Sequence, residues 1–548
     1  MRTRSWAVLL FLAVLAFYAL TLQPSLAWGD GIRLQREVVT AESFILAEIN
    51  EPALSEAGQV KFAADPFPFA RLGIAAWDHP LYVMLGHSVL QALPGVYNLW
   101  LVNFLSAVFG AGAISLLFLL CARHTQSNSA SLLAALALAV SHTFWWHAVT
   151  PEVYTLFAFL LLLALYWFDT YEENGRFIYL FASAFALGLG IANHLLAGLA
   201  IPALILYLLL ARKGRRDFPL KWTQFAWLVV AFLLGLAPYL MQFLRLLRTF
   251  TLPEVMGTAV GTTFLQGSVV LSPLLLGQSI VSYLIFLFYQ FLLLGVLLGI
   301  YGWLVGRHPY PALWNKAAAF YLVYLAFGLL YRVSDQFAFF LGAHIFWAVA
   351  IGMGIAQLEV KVWSDRRRLL AVILALPILL MPLFYDAAPD LLRRVGVTEE
   401  IFGVPQVGSG VRDGLAYYIN PNKQGDVTAD AFGRQVLNNL PPESVVVAEW
   451  YTDTDEYFVL RYFMAVEGLR PDIELVTWTT QDPFTFDSGQ VVQLVAEELP
   501  HRPVYLASLS EEFYAASTLL AEYCIVAQDH LYRVYPRDAG VERPCLRP

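Results

Sequence analysis

A carboxylate between two glycines follows the first apolar stretch of the chain. That stretch runs from Trp6 to Ala27, and Trp28-Gly29-Asp30-Gly31 comes directly after it. A carboxylate at a membrane surface can accept a proton or a hydrogen bond from a substrate. Asp30 has no helix to cap within the preceding apolar run, so we interpret it as a candidate functional residue.

Further polar residues occur near the ends of later apolar segments. Histidine, asparagine and tyrosine can form hydrogen bonds to a substrate, and arginine at the outer leaflet can clamp a lipid phosphate. Ionisable residues at membrane depth are costly and usually face a cavity or a partner. The candidates for substrate binding are His79, His147, Glu152, Tyr154, Asn193, His194, Arg245, Arg248, Arg332 and Asp335.

Structural roles stay open for several of these residues. Glu152 follows Pro151 at a predicted helix start, where a carboxylate also complements the helix dipole. His194 interrupts a glycine-rich apolar run, where a histidine is often a satisfied interior polar group. The arginines can equally be anchoring charges. Asp30, Asp78 and Glu152 are compatible with a divalent metal but form no strong ligand set, so the need for a metal stays open.

The composition is that of a polytopic membrane protein. About 59% of the residues are hydrophobic and 14% are charged, and the mean hydropathy is +0.60. A soluble globular protein of this length does not carry so much apolar surface. The chain has no basic patch with interleaved aromatic residues, which argues against a nucleic-acid partner.

The apolar segments predict about eleven membrane spans, since each crossing needs roughly 20 residues. A shorter amphipathic segment, Pro80–Leu93, is expected to lie at the membrane interface. The predicted spans are Trp6–Ala27, Tyr97–Cys121, Ser131–Trp146, Pro151–Phe168, Phe177–Gly190, Asn193–Leu210, Trp222–Leu240, Ser279–Val305, Leu313–Leu330, Phe337–Ala356 and Leu369–Tyr385.

Basic residues orient these spans. Arg2 and Arg4 precede the first span, and dense basic clusters at 212–216 and 366–368 fall in loops on the same side. The positive-inside rule then puts the N-terminus in the cytoplasm and the candidate residues on the outer face. We expect a multipass protein of a bacterial or archaeal cytoplasmic membrane. Ser25-Leu26-Ala27 resembles a signal-peptidase site, but cleavage there would still leave Asp30 outside.

The sequence predicts two domains. Residues 1–390 form a multipass catalytic domain, with 28–80 as its first outer loop, and residues 391–548 form an extracytoplasmic α/β domain. Strands are expected at Ser444–Ala448, Ile473–Trp478 and Pro503–Ala507 and near Ile525 and Leu531, with helices between them. We interpret this part as a lid over the outer cavity. Its Cys524 and Cys545 can form a disulfide in an oxidising compartment, with two free thiols as the alternative.

Several motifs resemble one family of membrane glycosyltransferases. They are Gly29-Asp30, His79-Pro80-Leu81-Tyr82, TFWWHAVTPEVYTL (143–156), GLGIANHLL (188–196) and the stretch from Ala429 that includes EGLRPD (467–472). The family was formerly called domain of unknown function 2723. It belongs to the GT-C superfamily, and it includes the eukaryotic endoplasmic-reticulum enzyme that O-mannosylates plexin-type receptors. The resemblance covers nearly the whole chain.

The resemblance implies a GT-C-like fold and transfer of a sugar from a polyprenyl-phosphate donor. In GT-C enzymes an acid in the first outer loop is the base of an inverting transfer, and Asp30 matches that position. The family suggests mannose as the sugar. The acceptor, whether protein or glycan, and the oligomeric state stay open.

Departures from the family pattern bear on specificity. Gly31-Ile32-Arg33-Leu34 follows Asp30 where the family usually carries a second acid, and the outer loop between Asp30 and His79 looks longer. Functions of another class also stay open. About eleven spans also suit a transporter or flippase, or a non-catalytic scaffold, for lipid-linked envelope intermediates. A transferase needs the Asp30 carboxylate, whereas a scaffold should tolerate asparagine there.

Overall fold

The structure is a computed structural model of the chain. It describes residues 3–41, 79–211, 221–248, 251–259, 268–269, 271–333, 335–361, 366–398, 401, 411–449, 456–477, 488–541 and 543–547. Most of the first outer loop with Asp78, and the basic cluster at 212–216, lie outside these ranges. Within them the chain forms a long helical part followed by a small sheet with helices.

The helical part is built from long apolar helices joined by short connections. A 3-10 turn, Leu195–Leu199, lies between α8 and α9. The helices are α1 (Thr3–Leu20), α2 (Asp30–Thr40), α3 (Pro80–Ala92), α4 (Asn98–Thr125), α5 (Asn128–Ala139), α6 (His142–Val149), α7 (Tyr154–Asn174), α8 (Phe177–Asn193), α9 (Ala200–Leu210), α10 (Trp222–Gly235), α11 (Ala237–Leu246), α12 (Leu252–Ala259), α13 (Pro273–Val305), α14 (Pro311–Leu330), α15 (Gln336–Phe339), α16 (Leu341–Lys361) and α17 (Arg367–Arg394).

Seven of the described helices are long and apolar enough to cross a membrane, namely α1, α4, α7, α13, α14, α16 and α17. Two pairs pass the same test only together, because α5 bends by 65° into α6 and α10 bends by 61° into α11. The described chain therefore has seven to nine candidate spans. The eleven expected from the sequence would also require α8 and the short helical segment 195–210 to cross, and that count stays a prediction.

Contacts and residue types at the two bends explain why the helices can break there. At the start of α6, the backbone N–H of His142 donates to the Tyr385 hydroxyl at 2.9 Å, and that of Thr143 donates to Gln290 Oε1 at 2.8 Å. These side chains satisfy donors that a continuous helix would pair internally, which makes the break tolerable inside a membrane. At the second bend, Pro238 lies in the first turn of α11 and has no backbone N–H to continue the helix.

Glycines let the helices approach closely. A Cβ on Gly302 of α13 would lie 1.8 Å from the carbonyl oxygen of Ala350 on α16. Between α8 and α10, a Cβ on Gly188 would lie 2.2 Å from the carbonyl oxygen of Phe232. Lipid tails are as apolar as the helix surfaces, so the hydrophobic effect does not drive helices together in a membrane. Close packing through small residues is therefore expected to hold these helices together.

Two short helices cover one end of the bundle. A Cβ on Gly86 of α3 would lie 2.7 Å from the side chain of Val38 on α2, and His87 Nδ1 lies 2.9 Å from the Val38 carbonyl oxygen. The predicted amphipathic segment is thus a helix that packs on α2. The sequence analysis placed 28–80 in an outer loop and did not foresee α2, because its many polar residues give no span signal.

The C-terminal part contains a five-stranded sheet with the order β2-β1-β3-β5-β4. Strands β1, β2 and β3 are parallel, and β5 runs antiparallel to β3 and β4. The strands lie where the sequence predicts them, whereas a domain boundary at residue 390 stays a prediction. The elements are α18 (Gly414–Ile419), α19 (Thr428–Asn439), β1 (Val445–Val447), α20 (Glu456–Ala465), β2 (Glu474–Val476), α21 (Ser488–Glu498), β3 (Val504–Leu506), α22 (Glu511–Tyr514), α23 (Ala516–Glu522), β4 (Cys524–Gln528) and β5 (Leu531–Tyr535).

The sheet part is cross-linked and docked on the helices. Cys524 and Cys545 form a disulfide, so the first of the two alternatives for these cysteines holds. The Lys423 backbone N–H donates to the Thr21 carbonyl oxygen at 3.0 Å, and Trp28 Nε1 donates to Thr428 Oγ1 at 2.8 Å. The C-terminal part therefore packs on the end of the bundle where α1 ends and α2 begins.

We predict that Gly302→Ala destabilises the protein by about 1–3 kcal/mol, because the added methyl group meets the Ala350 carbonyl and the helices must separate. Thermal unfolding of the purified protein in detergent measures the effect. Gly277→Ala is the matched control on the same helix, since a Cβ there meets no heavy atom within 4 Å. Equal melting temperatures for the two variants would contradict the close crossing of α13 and α16.

Candidate functional site

Buried amide side chains fix the turn between α1 and α2. Asn103 on α4 donates through Nδ2 to the carbonyl oxygens of Gln23 and Ser25, at 2.8 and 3.0 Å. Gln35 on α2 donates to Asn103 Oδ1 at 2.8 Å and to the Ser25 carbonyl oxygen at 3.1 Å, and it accepts from the Ala27 N–H at 2.9 Å. Buried amides satisfied in this way hold one conformation, so the turn that leads to Asp30 has a fixed path.

The start of α2 lies against the segment that carries Glu152. Gly29 precedes the helix with φ of 72°, a left-handed conformation that glycine adopts without a steric penalty. A Cβ on Gly31 would lie 2.9 Å from Ala27 Cβ and 3.0 Å from Pro151 Cγ, so only glycine fits this close approach. The side chain of Asp30 lies outside the described part, but its backbone is placed next to Pro151-Glu152.

A hydrogen bond from its backbone N–H fixes the position of Glu152. Its N–H donates to Ser106 Oγ at 3.1 Å, and the Tyr82 hydroxyl lies 2.9 Å from the same oxygen. The Glu152 charge also contributes to the raised pKa of Tyr417, which burial chiefly causes. The carboxylate is therefore half-buried within electrostatic range of both the bundle and the C-terminal part.

An unbroken series of ring contacts runs through four predicted residues. The His147 and Tyr154 ring centroids are 4.5 Å apart, Tyr154 and His194 are 5.2 Å apart, and His194 and His79 are 5.2 Å apart. His79 Nδ1 lies 2.8 Å from the Asn193 carbonyl oxygen, and Asn193 Nδ2 donates to the Val153 carbonyl oxygen at 2.9 Å. The structure thus gathers residues from three distant parts of the sequence.

Several buried polar atoms in this region have no hydrogen-bond partner within the described part of the chain. They include both ring nitrogens of His147 and Oδ1 of Asn193. Two neighbours share this property, Trp146 through Nε1 and Tyr417 through its hydroxyl. Because unsatisfied buried polar groups are costly, their concentration at one place is typical of a site completed by ligand or water.

Phenylalanines of α15 close the ring series from the other side. Phe337 stacks on His147 with a centroid distance of 5.6 Å, and Phe339 lies 6.3 Å from His194. Asp335 immediately precedes α15 as its N-cap residue. It is therefore placed within one turn of the aromatic contacts, as a candidate residue near the cluster.

The three predicted arginines are not part of this cluster in the described contacts. Arg245 and Arg248 are exposed near the end of α11. Arg332 donates to Gln278 Oε1 at 3.0 Å and to the Leu275 carbonyl oxygen at 3.4 Å on α13. A role for them in phosphate binding stays a prediction.

Two cations that the sequence analysis missed are buried at this end. Arg412 and Lys423 are each 2% exposed. Lys423 Nζ lies 4.1 Å from the Tyr417 ring centroid and 5.6 Å from that of Trp146. Burial lowers the pKa of Lys423 to about 7, with Asp426 opposing the shift and Arg412 adding to it. The sequence around these two cations is typical of a linker. The pair of tyrosines between them is a local indication that the segment is packed.

Among the described residues, no three His, Cys, Asp or Glu side chains are placed to hold a metal ion. The side chain of Asp30 and all of Asp78 lie outside that set. The question of a divalent metal therefore stays open.

Residues 78–217 match a family model described as the protein O-mannosyl-transferase TMEM260 N-terminal domain. The protein O-mannosyl-transferase TMEM260 of Mus musculus is 24% identical over 499 residues, which cover 86% of this chain and 62% of that protein. The chain thus spans less than two thirds of the length of this curated relative. The match includes the segments that carry His79, His147, Glu152, Tyr154, Asn193 and His194.

Solved structures with a similar fold come from a bacterium. The crystal structure of ArnT from Cupriavidus metallidurans in the apo state has a TM-score of 0.56 at 16% identity and covers 99% of this chain and 100% of that chain. ArnT bound to undecaprenyl phosphate has a TM-score of 0.54 at 16% identity and covers 98% of this chain and 99% of that chain. At 16% identity, these matches show that this chain and ArnT share a fold. The predicted resemblance is confirmed as a similarity: the chain is similar to the TMEM260 N-terminal family model, shares its fold with ArnT and is an integral membrane protein.

We predict that Asn103→Leu lowers the free energy of unfolding by about 2–4 kcal/mol, because it removes one hydrogen bond each from the buried Gln35 side chain, the Gln23 carbonyl and the Ser25 carbonyl. It should also raise hydrogen exchange in residues 21–29. Ser115→Ala on the same helix is the control, since Ser115 makes one hydrogen bond, to the Ala7 carbonyl oxygen. Unchanged exchange of 21–29 in Asn103→Leu would show that the amides do not fix the turn.

Proposed function

We propose that this protein is a membrane glycosyltransferase that moves a sugar from a polyprenyl-phosphate donor to an acceptor hydroxyl, with Asp30 as the general base. One observation carries the proposal. Buried polar atoms of Trp146, His147, Asn193 and Tyr417 lack partners within the described part of the chain. Trp146 and His147 shortly precede Pro151 in the sequence, and Pro151 packs against Gly31 at the start of α2.

The proposed reaction is an inverting displacement. The acceptor oxygen forms a bond to the anomeric carbon while the bond from that carbon to the phosphate oxygen breaks, and its electron pair stays on the phosphate. The Asp30 carboxylate takes the acceptor proton, which requires a single carboxylate on the attacking face. A retaining transfer would need a nucleophile in addition. No step in this scheme demands a metal.

The ring series suits a sugar substrate. Aromatic faces at His147, Tyr154 and Phe337 offer apolar contact, and the ring nitrogens of His147 and Oδ1 of Asn193 can pair with sugar hydroxyl groups. Small-molecule sites usually combine apolar and aromatic side chains with a few placed polar groups. His79, His194 and Glu152 border the same region and would orient the acceptor or the sugar.

The relatives narrow the substrates. ArnT has been crystallised with undecaprenyl phosphate, which supports a polyprenyl-phosphate donor here. The mouse relative is named as a protein O-mannosyl-transferase, which favours mannose and a hydroxyl acceptor. Because the chain spans 62% of that protein, protein and glycan acceptors both stay within the proposal.

The disulfide supports an extracytoplasmic site. Structural disulfides persist in oxidising compartments, and the Cys524–Cys545 bond belongs to the part that docks on the site end. Arg123 and Lys361 lie near the opposite helix ends, at the C-termini of α4 and α16. By the positive-inside rule, these residues support a cytoplasmic location for that opposite end and for the N-terminus.

A transporter or flippase is the second candidate. Broken helices that line a site are common in secondary transporters, and two helix pairs here are bent by more than 60°. The first of these breaks leads into α6, which carries His147. Such a protein would move a lipid-linked sugar without chemistry and would not need the Asp30 carboxylate.

We predict that Asp30→Asn lowers sugar transfer by about 10²–10⁴-fold, since the amide cannot accept the acceptor proton. Mass spectrometry of envelope glycans and glycoproteins compares cells that carry the wild type, the variant or a deletion. Asp538→Asn, at an exposed position of the C-terminal part, is the control and should match the wild type. Membrane levels and melting temperatures confirm that each variant folds.

The outcomes separate the candidate functions. If Asp30→Asn matches the deletion and one sugar is lost, the protein is a transferase and the missing product identifies its acceptor. If the well-folded variant behaves as the wild type while the deletion changes the glycans, the transporter or scaffold function replaces the proposal.

A further inference from the structure

His344 is a buried histidine whose two ring nitrogens are both unmatched. It lies in the first turn of α16 and is 0% exposed. Neither nitrogen has a hydrogen-bond partner within the described ranges of the chain. A neutral imidazole carries one N–H donor and one acceptor nitrogen, and each is costly when it is buried without a partner. This position therefore calls for a group that can both donate and accept a hydrogen bond.

Aromatic side chains surround the imidazole ring. The Tyr283 ring stacks on it at a centroid distance of 5.9 Å, and the rings of Phe291 and Phe340 lie 6.1 and 6.4 Å away. The Tyr283 hydroxyl lies 3.0 Å from that of Tyr321 on α14. These contacts pack the ring, but in the part of the chain that the structure describes they leave its nitrogens unmatched.

A second unmatched group lies one turn later on the same helix. Trp347 is 6% exposed, and its Nε1 has no hydrogen-bond partner among the described residues. A Cβ on Gly299 of α13 would lie 2.4 Å from this nitrogen, so the indole N–H lies against α13. Residues three apart share one face of a helix, and His344 also contacts α13, through Tyr283. Both unmatched side chains therefore lie between α16 and α13.

The helix α13 is interrupted beside these two side chains. Leu292 has φ of 50° and ψ of −178°, a combination that is nearly confined to glycine and is strained for leucine. The neighbouring Phe291 is one of the residues that contact His344. A break interrupts the hydrogen bonds between backbone groups one turn apart, and inside a membrane neighbouring side chains or ordered water must satisfy the freed groups. The break therefore adds to the demand for hydrogen bonds at this place.

Water meets this demand better than a lipid chain or an ion. A water molecule both donates and accepts, and buried waters typically make about three hydrogen bonds to groups that the protein leaves unmatched. An acyl or prenyl chain offers no hydrogen bond. A buried ion needs a compensating charge, and the contacts described for His344 and Trp347 are with uncharged aromatic and glycine residues.

We infer that ordered water occupies a site between His344, Trp347 and the break in α13, and that it completes the hydrogen bonding of these groups. This is a second polar site inside the helical part, separate from the ring series. It does not rest on the proposed function, because it holds whether the protein transfers a sugar or moves one.

The hydrated break also supports the candidate site. Gln290, two residues before Leu292, accepts from the Thr143 N–H at 2.8 Å and donates to Thr143 Oγ1 at 2.7 Å. Thr143 lies in the first turn of α6, the helix that carries His147. Water that stabilises the break therefore stabilises the segment of α13 that holds α6.

Hydroxyl-radical footprinting of the full-length protein in nanodiscs tests this site. X-rays generate the radicals from water, so a bound water leads to oxidation of the side chains next to it even where bulk solvent has no access. We expect oxidation of Tyr283 and Trp347. The matched controls are Tyr18 and Trp145, which are 0% and 1% exposed and whose polar atoms each bond to another group of the protein. These two should stay unoxidised.

Substitutions of His344 tie the oxidation to this site. His344→Leu removes the donor and the acceptor, and the oxidation of Tyr283 and Trp347 should be lost. His344→Gln keeps a donor and an acceptor and should retain it. Melting temperatures show that each variant folds. If His344→Leu does not fold, Trp347→Phe removes a single N–H and should lower the oxidation of Tyr283.

Two results would overturn the inference. One is that Tyr283 and Trp347 of the wild type are oxidised no more than Tyr18 and Trp145. The other is that a folded His344→Leu variant keeps the wild-type oxidation. The glycan comparison with Asp30→Asn decides the proposed transfer separately, since neither of these results bears on that carboxylate.

Discussion

The candidate site depends on one set of buried hydrogen bonds, those of Gln35 and Asn103. Between them the two amides bond three backbone groups in residues 23–27. Without them, the polar turn after α1 would carry unsatisfied backbone groups into the protein interior, at a cost comparable to a large part of a protein's stability. With them, the turn is rigid enough to bring Gly31 against Pro151.

From that fixed turn the remaining parts of the site follow by packing. α2 contacts α3 through Val38 and Gly86, and α3 begins at the segment of His79 and Pro80. His79 in turn stacks on His194. A displacement of the turn would therefore pass to residues that are distant in sequence. The C-terminal part closes the other side, because Trp28 and Trp146 contact Thr428, Arg412 and Lys423. The C-terminal part therefore packs directly against the candidate site, and its role as a lid stays a prediction.

Much of this organisation can be predicted from the sequence. Long apolar runs locate α4, α7, α13 and α16, since crossing a membrane demands length and hydropathy. Short apolar segments between turn residues locate β1 and β3. The predicted cluster of His79, His147, Glu152, Tyr154, Asn193 and His194 also comes together. Each of these residues lies near the end of a helix, and the hydropathy pattern shows where the apolar helices end.

Other features depend on contacts that a sequence does not display. α2 is short and polar on average and gives no signal of a membrane span, yet its contacts with α3 and α4 bury most of its residues. The break between α5 and α6 requires Tyr385 and Gln290, which lie far along the chain. Arg412 and Lys423 read as ordinary loop charges until Trp28 and Trp146 are placed against them. Close three-dimensional approach decides each of these cases, and local propensity contributes little.

The hydrogen bond from the Lys423 backbone N–H to the Thr21 carbonyl implies an order of assembly during synthesis of the protein. It joins residues about 400 positions apart, as does the contact between Trp28 and Thr428. A nascent chain inserts its helices in sequence, so α1 is in place long before residue 423 leaves the ribosome. The contacts at this end of the bundle stay incomplete until residues 423–428 have been synthesised and have folded onto α1 and the turn that follows it. These contacts therefore form in a late step, after the helices that they join are already in place.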